Sequence, residues 1–293
     1  MTELRKQRGQ IPLKSVCSAF GKSRQAYYKA LKRKALLESE ENRIIELVQG
    51  IRQKLSYIGG RKLYFMLSDK LKSEGIHIGR DKFFDVLRKH GELVFRGRRY
   101  PLTTNSRHHF AKYRNIFKGL DISRPEQVFV SDITYISLVG NRFVYAAFTT
   151  DAFTRRIMGF NVSEKLDAQL AIEALIMAIS NREYSGELIH HSDRGVQFCS
   201  NEFIDILRAN NIAISMTETG DPRDNAIAER INGIIKHEFG LNRPVKSLEE
   251  ANQLISQAVI LYNNLRPHMS CKYLTPSQMH LTTNFAYMMA VKK

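Results

Sequence analysis

The sequence predicts an α/β chain in which a mixed five-stranded sheet flanked by helices follows a set of all-α helix-turn-helix units. Three observations predict it. The first part shows apolar residues at spacings of three and four, the mark of amphipathic helices. From about residue 125, three β-branched and aromatic runs come first, and then helix and strand alternate, as in a mixed sheet covered by helices. The charge also divides: residues 1–125 hold 29 Lys and Arg against 11 Asp and Glu, whereas residues 126–293 hold 16 against 18. The basic excess behind the net charge of +16 therefore lies wholly in the first part.

In chain order, residues 11–34 read as helix, tight turn at Gly21 and second helix, with Ser23 suited to cap the second. That second helix carries Arg24, Gln25 and Tyr28, and the turn length suits a helix-turn-helix whose second helix enters the major groove. A longer helix over 38–55 and two more over 61–72 and 81–89 make a three-helix unit, with Ile44, Val48, Leu63, Leu67, Leu71, Phe83 and Leu87 as its core. Over 92–118 the periodicity fades, and Arg96, Arg98 and Arg99 stand among turn residues, as in a linker that tracks phosphates. A basic region beside a near-neutral one is the footprint of a protein that grips a polyanion with one part and works on it with another. Membrane surface is the rival polyanion, but no strongly apolar, basic amphipathic helix supports it.

Strands are expected over 128–137, 142–150, 156–161, 187–191 and 212–215, with helices over 167–181 and 201–210. Asp132 falls inside the first strand, where a buried acid is costly unless a cation offsets it. Asp193 ends the fourth, just before Gly195. Asp224 is suited to cap a helix starting at Asn225, on which Ile227, Ile231, Ile234, Ile235 and Phe239 form an apolar stripe. Asn225, Glu229, Asn232 and Lys236 lie together on the other side: a carboxylate, a cation and two amides, a set that suits metal and phosphate, although a solvated face has the same pattern. Asp132, Asp193 and Glu229 would supply oxygen ligands for hard divalent ions. Asp151, after the second strand, reads as a turn residue rather than a fourth ligand. Residues 248–265 form a last amphipathic helix, ended at Pro267.

The three cysteines, Cys17, Cys199 and Cys271, are far apart and fit free thiols, and neither they nor the adjacent histidine pairs have zinc-site spacing. No apolar run approaches the ~18 residues of a membrane span, and the polar start lacks a signal-peptide core.

Three strings then make a specific match: Ser131-Asp132-Ile133-Thr134-Tyr135, His191-Ser192-Asp193-Arg194-Gly195-Val196-Gln197-Phe198, and Asp224-Asn225-Ala226-Ile227-Ala228-Glu229-Arg230-Ile231-Asn232. With 35 residues between Asp193 and Glu229, Lys236 seven beyond the glutamate, and Tyr262-Asn263-Asn264-Leu265-Arg266-Pro267-His268 and Leu274-Thr275-Pro276-Ser277 downstream, the chain resembles the insertion-sequence DDE transposases of the D,D(35)E class, which share a retroviral-integrase-like catalytic core. The resemblance covers most of the chain after about Leu93. A zinc-binding N-terminal domain like that of retroviral integrases has no counterpart.

The resemblance implies an RNase H-like core and five segments: an N-terminal helix-turn-helix over 1–36, a second three-helix unit over 37–92, a basic linker over 93–124, the catalytic core over 125–245 and a C-terminal helical extension over 246–293. It implies a metal-dependent polynucleotidyl transferase that binds the ends of its mobile element, cleaves a strand by hydrolysis and joins the 3'-hydroxyl to another phosphodiester. Asp132, Asp193 and Glu229 would hold two Mg²⁺ ions, with Mn²⁺ as a substitute, and Lys236, Asn225 and Asn232 would position DNA phosphates. Arg24, Gln25, Tyr28, Arg96, Arg98 and Arg99 are the further DNA-contact candidates. The implied partners are double-stranded DNA, a second copy of the chain at least, and an upstream reading-frame product as fusion; the implied location is the bacterial cytoplasm, on the nucleoid. Two other readings share the residues: an RNase H-like structure-specific nuclease that cleaves without joining, and a non-catalytic DNA-binding relic.

Overall fold

The computed structural model describes residues 12–94, 109–218 and 222–291. It divides into two compact units, one running to Ile51 and including Leu63–Leu93, the other made of Arg52–Lys62 and the chain from Val94 onward.

The first unit is helical. Helix α1 (Leu13–Ala19) is followed by a turn in which Gly21 takes a positive φ, and α2 (Arg24–Arg52) starts where Ser23 Oγ accepts the Ala26 N–H at 3.0 Å. The expected break near residue 36 is absent: one helix of 29 residues runs through it. No glycine or proline stands between Arg24 and Gln49, and the run Lys32–Glu41 consists largely of strong helix formers, so nothing locally ends the helix. The boundary placed between residues 36 and 37 therefore falls inside a helix. Helices α3 (Gly60–Ser73) and α4 (Arg80–Lys89) complete the helical region, with Leu63, Leu67, Leu71, Phe83 and Leu87 buried as their spacing requires.

The second unit is built on a sheet of β1 (Val128–Leu138), β2 (Arg142–Asp151), β3 (Ile157–Ser163), β4 (Leu188–Ser192) and β5 (Ile212–Met216), in the order β3-β2-β1-β4-β5. The first three strands are antiparallel, and β4 and β5 run parallel to β1, which is the RNase H-like arrangement. Helix α5 (Ala168–Ser180), capped by Asp167, lies against β3 and β2. Gly159 on β3 makes that contact close, since a Cβ there would stand 2.0 Å from the Ala174 carbonyl oxygen. A short α6 (Val196–Cys199) and α7 (Asn201–Ala209) pack with α5 over Phe129, Met158 and Leu188.

Beyond β5 come α8 (Ala226–Glu238) and α9 (Leu248–Asn264), whose Ile231, Ile234, Ile235, Ile255, Ala258 and Tyr262 form a second core with Ile136, Val144 and Phe148. Residues after 245 thus share the sheet's own core instead of extending from it. A last helix, α10 (Pro276–Val291), lies within the helical extension expected over 246–293. Its His280 is fully buried, with Nε2 3.2 Å from Glu126 and Nδ1 3.8 Å from Asp151. Asp151 itself accepts from the backbone N–H groups of Glu126, Phe153 and Thr154 and from the Thr154 hydroxyl. Its carboxylate holds a turn and faces His280.

Candidate active site

Parallel pairing sets the geometry of the site. Val130 on β1 is the register partner of His191 on β4, and two residues further along each chain come Asp132 and Asp193. Because side chains alternate with period two, the two aspartates follow their partners to the same level. Both line one small cleft with Tyr135, Tyr145, Leu166 and Gln197. Asp193 Oδ1 accepts the Gly195 N–H at 2.9 Å, an Asx-type turn that fixes the carboxylate at the strand end.

Asp132 accepts from its neighbour Ile133 N–H and from Asn232 Nδ2, each at 2.8 Å. Among the described residues no cation pairs with it. Burial pushes its carboxyl up to about 8, helped by the charges of Asp193 and Glu229. Glu229, exposed on the first turn of α8, is raised by burial and by Asp193. The three acids therefore share one electrostatic field, although among the described residues no three His, Cys, Asp or Glu side chains stand grouped closely enough to hold a metal ion.

The residues nonetheless suit a hydrated cation. An acid kept protonated by burial, and further by two neighbouring acids, has too little positive charge nearby, and a divalent ion would supply it. Among the described residues the buried Oδ1 atoms of Asn232 and Asn225 have no hydrogen-bond partner, and metal-bound water is a donor of the kind they lack. Asp132, Asp193 and Glu229 are the side chains that could hold such an ion.

The side of α8 opposite its apolar stripe is not a solvated face. Asn232 and Lys236 are buried while Glu229 is exposed. Lys236 Nζ lies 4.0 Å from the centre of the Tyr135 ring, and burial lowers its pKa. Asn225 is the residue before the helix, in place of the expected Asp224, and makes no capping bond; its Nδ2 instead donates to the Ser131 carbonyl at 3.0 Å. The Nδ2 atoms of both amides are thus engaged inside the protein, on β1. The far end of α8 is fixed by Glu238, which takes two bonds from the buried Arg266 and one from Lys62. Burial works against the Glu238 charge, but these two cations hold it at about 2.

Behind the aspartates, His190 Nε2 meets Ser131 Oγ at 2.8 Å, and Ser131 Oγ meets Thr149 Oγ1 at 2.9 Å, a bonded row across three strands. Burial and His191 hold His190 down at about 3, so it is neutral. These polar supports were not singled out in the sequence; the only signal was a serine and two histidines directly beside the acids. Of the other DNA-contact candidates, Arg24, Gln25 and Tyr28 are exposed on the first turns of α2. Arg96, Arg98 and Arg99 lie outside the described residues.

Two family models, both described as integrase core domain, match residues 122–222 and 210–276. A 31 kDa protein of insertion element IS600 from Shigella sonnei is 29% identical over 267 residues, covering 89% of this chain and 96% of that protein. The transposase of insertion sequence IS629, also from Shigella sonnei, is 34% identical over 198 residues, 67% of this chain and 66% of that one. This chain belongs to the insertion-sequence transposases with an integrase core domain. It is accordingly an enzyme of the DDE transposase and integrase class of polynucleotidyl transferases. The transposase InsF of IS3A from Escherichia coli K12 is 26% identical over 282 residues, 94% of this chain and 96% of InsF. Among solved structures, the HTLV-2 integrase catalytic core domain in complex with magnesium is 23% identical with a TM-score of 0.43, covering 54% of this transposase and 97% of that chain. Among the described residues of the transposase, no helix is long and apolar enough to cross a membrane.

Proposed function

We propose that this transposase binds double-stranded DNA at the ends of its own element, hydrolyses one strand there, and transfers the freed 3'-hydroxyl to another phosphodiester, with Asp132, Asp193 and Glu229 holding two Mg²⁺ ions. The observation that carries this reading is the meeting of Asp132, inside β1, with Asp193, just past the end of the adjacent parallel strand β4, and with Glu229 close enough to disturb the titration of Asp132. Two Mg²⁺ ions, when bound, activate the attacking oxygen and stabilise the leaving one, and Mn²⁺ can take the same place. The chain's own part is to present deprotonated oxygens: Asp132 must give up a proton that the ion-free site retains. Asn232 orients the Asp132 carboxylate, and Lys236 with Tyr135 forms a packed wall beside it. The nucleophiles are water and then the 3'-hydroxyl, with no covalent protein intermediate.

The basic excess before residue 126 supports the helical region and the linker as the DNA-holding part, with Arg24, Gln25 and Tyr28 in the groove and Arg96, Arg98 and Arg99 on phosphates. Synapsis of two element ends asks for at least a dimer on DNA, and the upstream reading-frame product is a fusion partner. The bacterial cytoplasm, at the nucleoid, is where these substrates lie.

Incubating the full chain with Mg²⁺, a duplex of the element's end carrying a pre-exposed 3'-hydroxyl, and a supercoiled plasmid tests this reading. Joined products are expected, and none from Asp132→Asn, Asp193→Asn or Glu229→Gln. Cleavage without joining would leave a structure-specific nuclease. DNA binding unaccompanied by any acid-dependent reaction would leave a relic.

A further inference from the structure

His191 stands on β4 two residues before Asp193 and is completely buried. Both ring nitrogens are engaged: Nε2 lies 2.9 Å from the Asp224 carbonyl oxygen and Nδ1 lies 2.8 Å from Ser215 Oγ. A carbonyl can only accept, so Nε2 carries the proton, and in the neutral ring Nδ1 then accepts from the Ser215 hydroxyl. The same hydroxyl oxygen accepts the backbone N–H groups of Ile116 and Phe117 at 3.1 and 3.2 Å. Its one proton and both lone pairs are thereby used, and the ring's proton position is determined. Phe117 packs on the imidazole with ring centres 4.8 Å apart.

The bond to Asp224 matters because of where that carbonyl lies. Asn225 follows it, and α8, which carries Glu229, begins at Ala226. The start of this helix is therefore tied to both aspartate strands: through His191 to β4, which ends beside Asp193, and through Asn225 Nδ2 to the Ser131 carbonyl, one residue before Asp132. Glu229 is exposed, so its place relative to Asp193 depends on the placement of its helix.

We propose that His191 is a positioning residue for the acidic centre: as the Nε2–H tautomer it fixes the start of α8, and with it Glu229, against Asp193. It touches no reacting atom and acts only through the Asp224 carbonyl. The inference rests on Asp193 and Glu229 being metal-holding residues, as proposed above.

The two ring nitrogens differ in reach, which supplies the test. A glutamine amide extends to the Nε2 position and can donate to Asp224, whereas an asparagine amide reaches only the Nδ1 position and can keep Ser215 alone. Mn²⁺ binding to the full chain, measured calorimetrically, should stay within about threefold of native in His191→Gln and weaken about 10- to 100-fold in His191→Asn, the range for losing an outer-shell partner. Nitrogen-15 spectra of the histidine-labelled native protein should show the Nε2–H tautomer, a readout that needs neither metal nor a variant and stands if a variant fails to fold. An Nδ1–H tautomer, or equal binding by the two variants while the native protein binds the ion, overturns the role of His191. A native protein that binds no Mn²⁺ overturns the functional reading itself and this inference with it.

Discussion

Asn232 donates its side-chain N–H to Asp132 Oδ2 at 2.8 Å, joining α8 to β1 across 100 residues of chain. The bond fixes which way the carboxylate faces, and the amide's other atom, Oδ1, is buried with no partner among the described residues. Asn232→Ala should therefore raise the Mg²⁺ concentration for half-maximal strand cleavage about 10- to 100-fold, the usual effect of losing an outer-shell bond. DNA affinity, measured by gel shift without metal, should not change.

Asp132 gives a prediction with opposite signs for activity and stability. Its folded pKa of about 8 lies above the ordinary 3.8, so between those values the folded chain keeps a proton that the unfolded chain has released. The contribution of this group to stability falls as pH rises through that window when no metal is present. Asp132→Asn has no such proton to lose. It should abolish cleavage while raising the metal-free Tm at pH 8 by about 2–4 °C, the shift that about 1 kcal/mol gives in a chain of this size. A scanning calorimeter and the joining assay, run on the same preparation, check both halves.

His280 is a cation buried among acids. Burial works against its charge, but the nearby carboxylates of Asp151 and Glu126 raise it from the usual 6.5 to about 8. Arg156 opposes the shift, while Glu183 lies 3.8 Å away on the acidic side. With a raised folded pKa, its contribution to stability is complete below pH 6.5 and is lost as pH rises through 8. Amide protection factors at the start of α10, corrected for the intrinsic pH dependence of exchange, should fall over that interval, and in His280→Gln that fall should vanish.

The contact of β3 with α5 leaves no room for a side chain at Gly159, since the obstruction is the Ala174 carbonyl and the Ala178 backbone. Gly159→Ala should destabilise the chain by at least the roughly 1–3 kcal/mol typical of overpacking. Urea unfolding should show the loss in the midpoint with little change in slope.

Much of this arrangement is legible in the residues themselves. The β-branched run around Asp132, the glycine after Asp193 and the stripe Ile231, Ile234 and Ile235 each follow from local periodicity, and the order of strands and crossover helices follows with them. What local pattern lacks is partner identity. Asn225, Asn232 and Lys236 are polar residues at helical spacing, and nothing in their sequence distinguishes a face turned to solvent from one turned to β1 and Tyr135. The continuity of α2 escapes a sequence reading because a helix-turn-helix over 11–34 and a helix from residue 38 read as separate elements although no residue between them breaks a helix. The partners of His280 on α10 escape it because they are carboxylates more than a hundred residues upstream.

The central claim is that three acids distant in sequence hold the same metal ions, and diffraction at the manganese edge tests it most directly. Crystals of the full chain with element-end DNA, soaked in millimolar Mn²⁺, should show an anomalous peak bonded to both Asp132 and Asp193, with Glu229 turned toward it at the second ion. Manganese that binds elsewhere, or an empty map between two well-ordered aspartates, would contradict it.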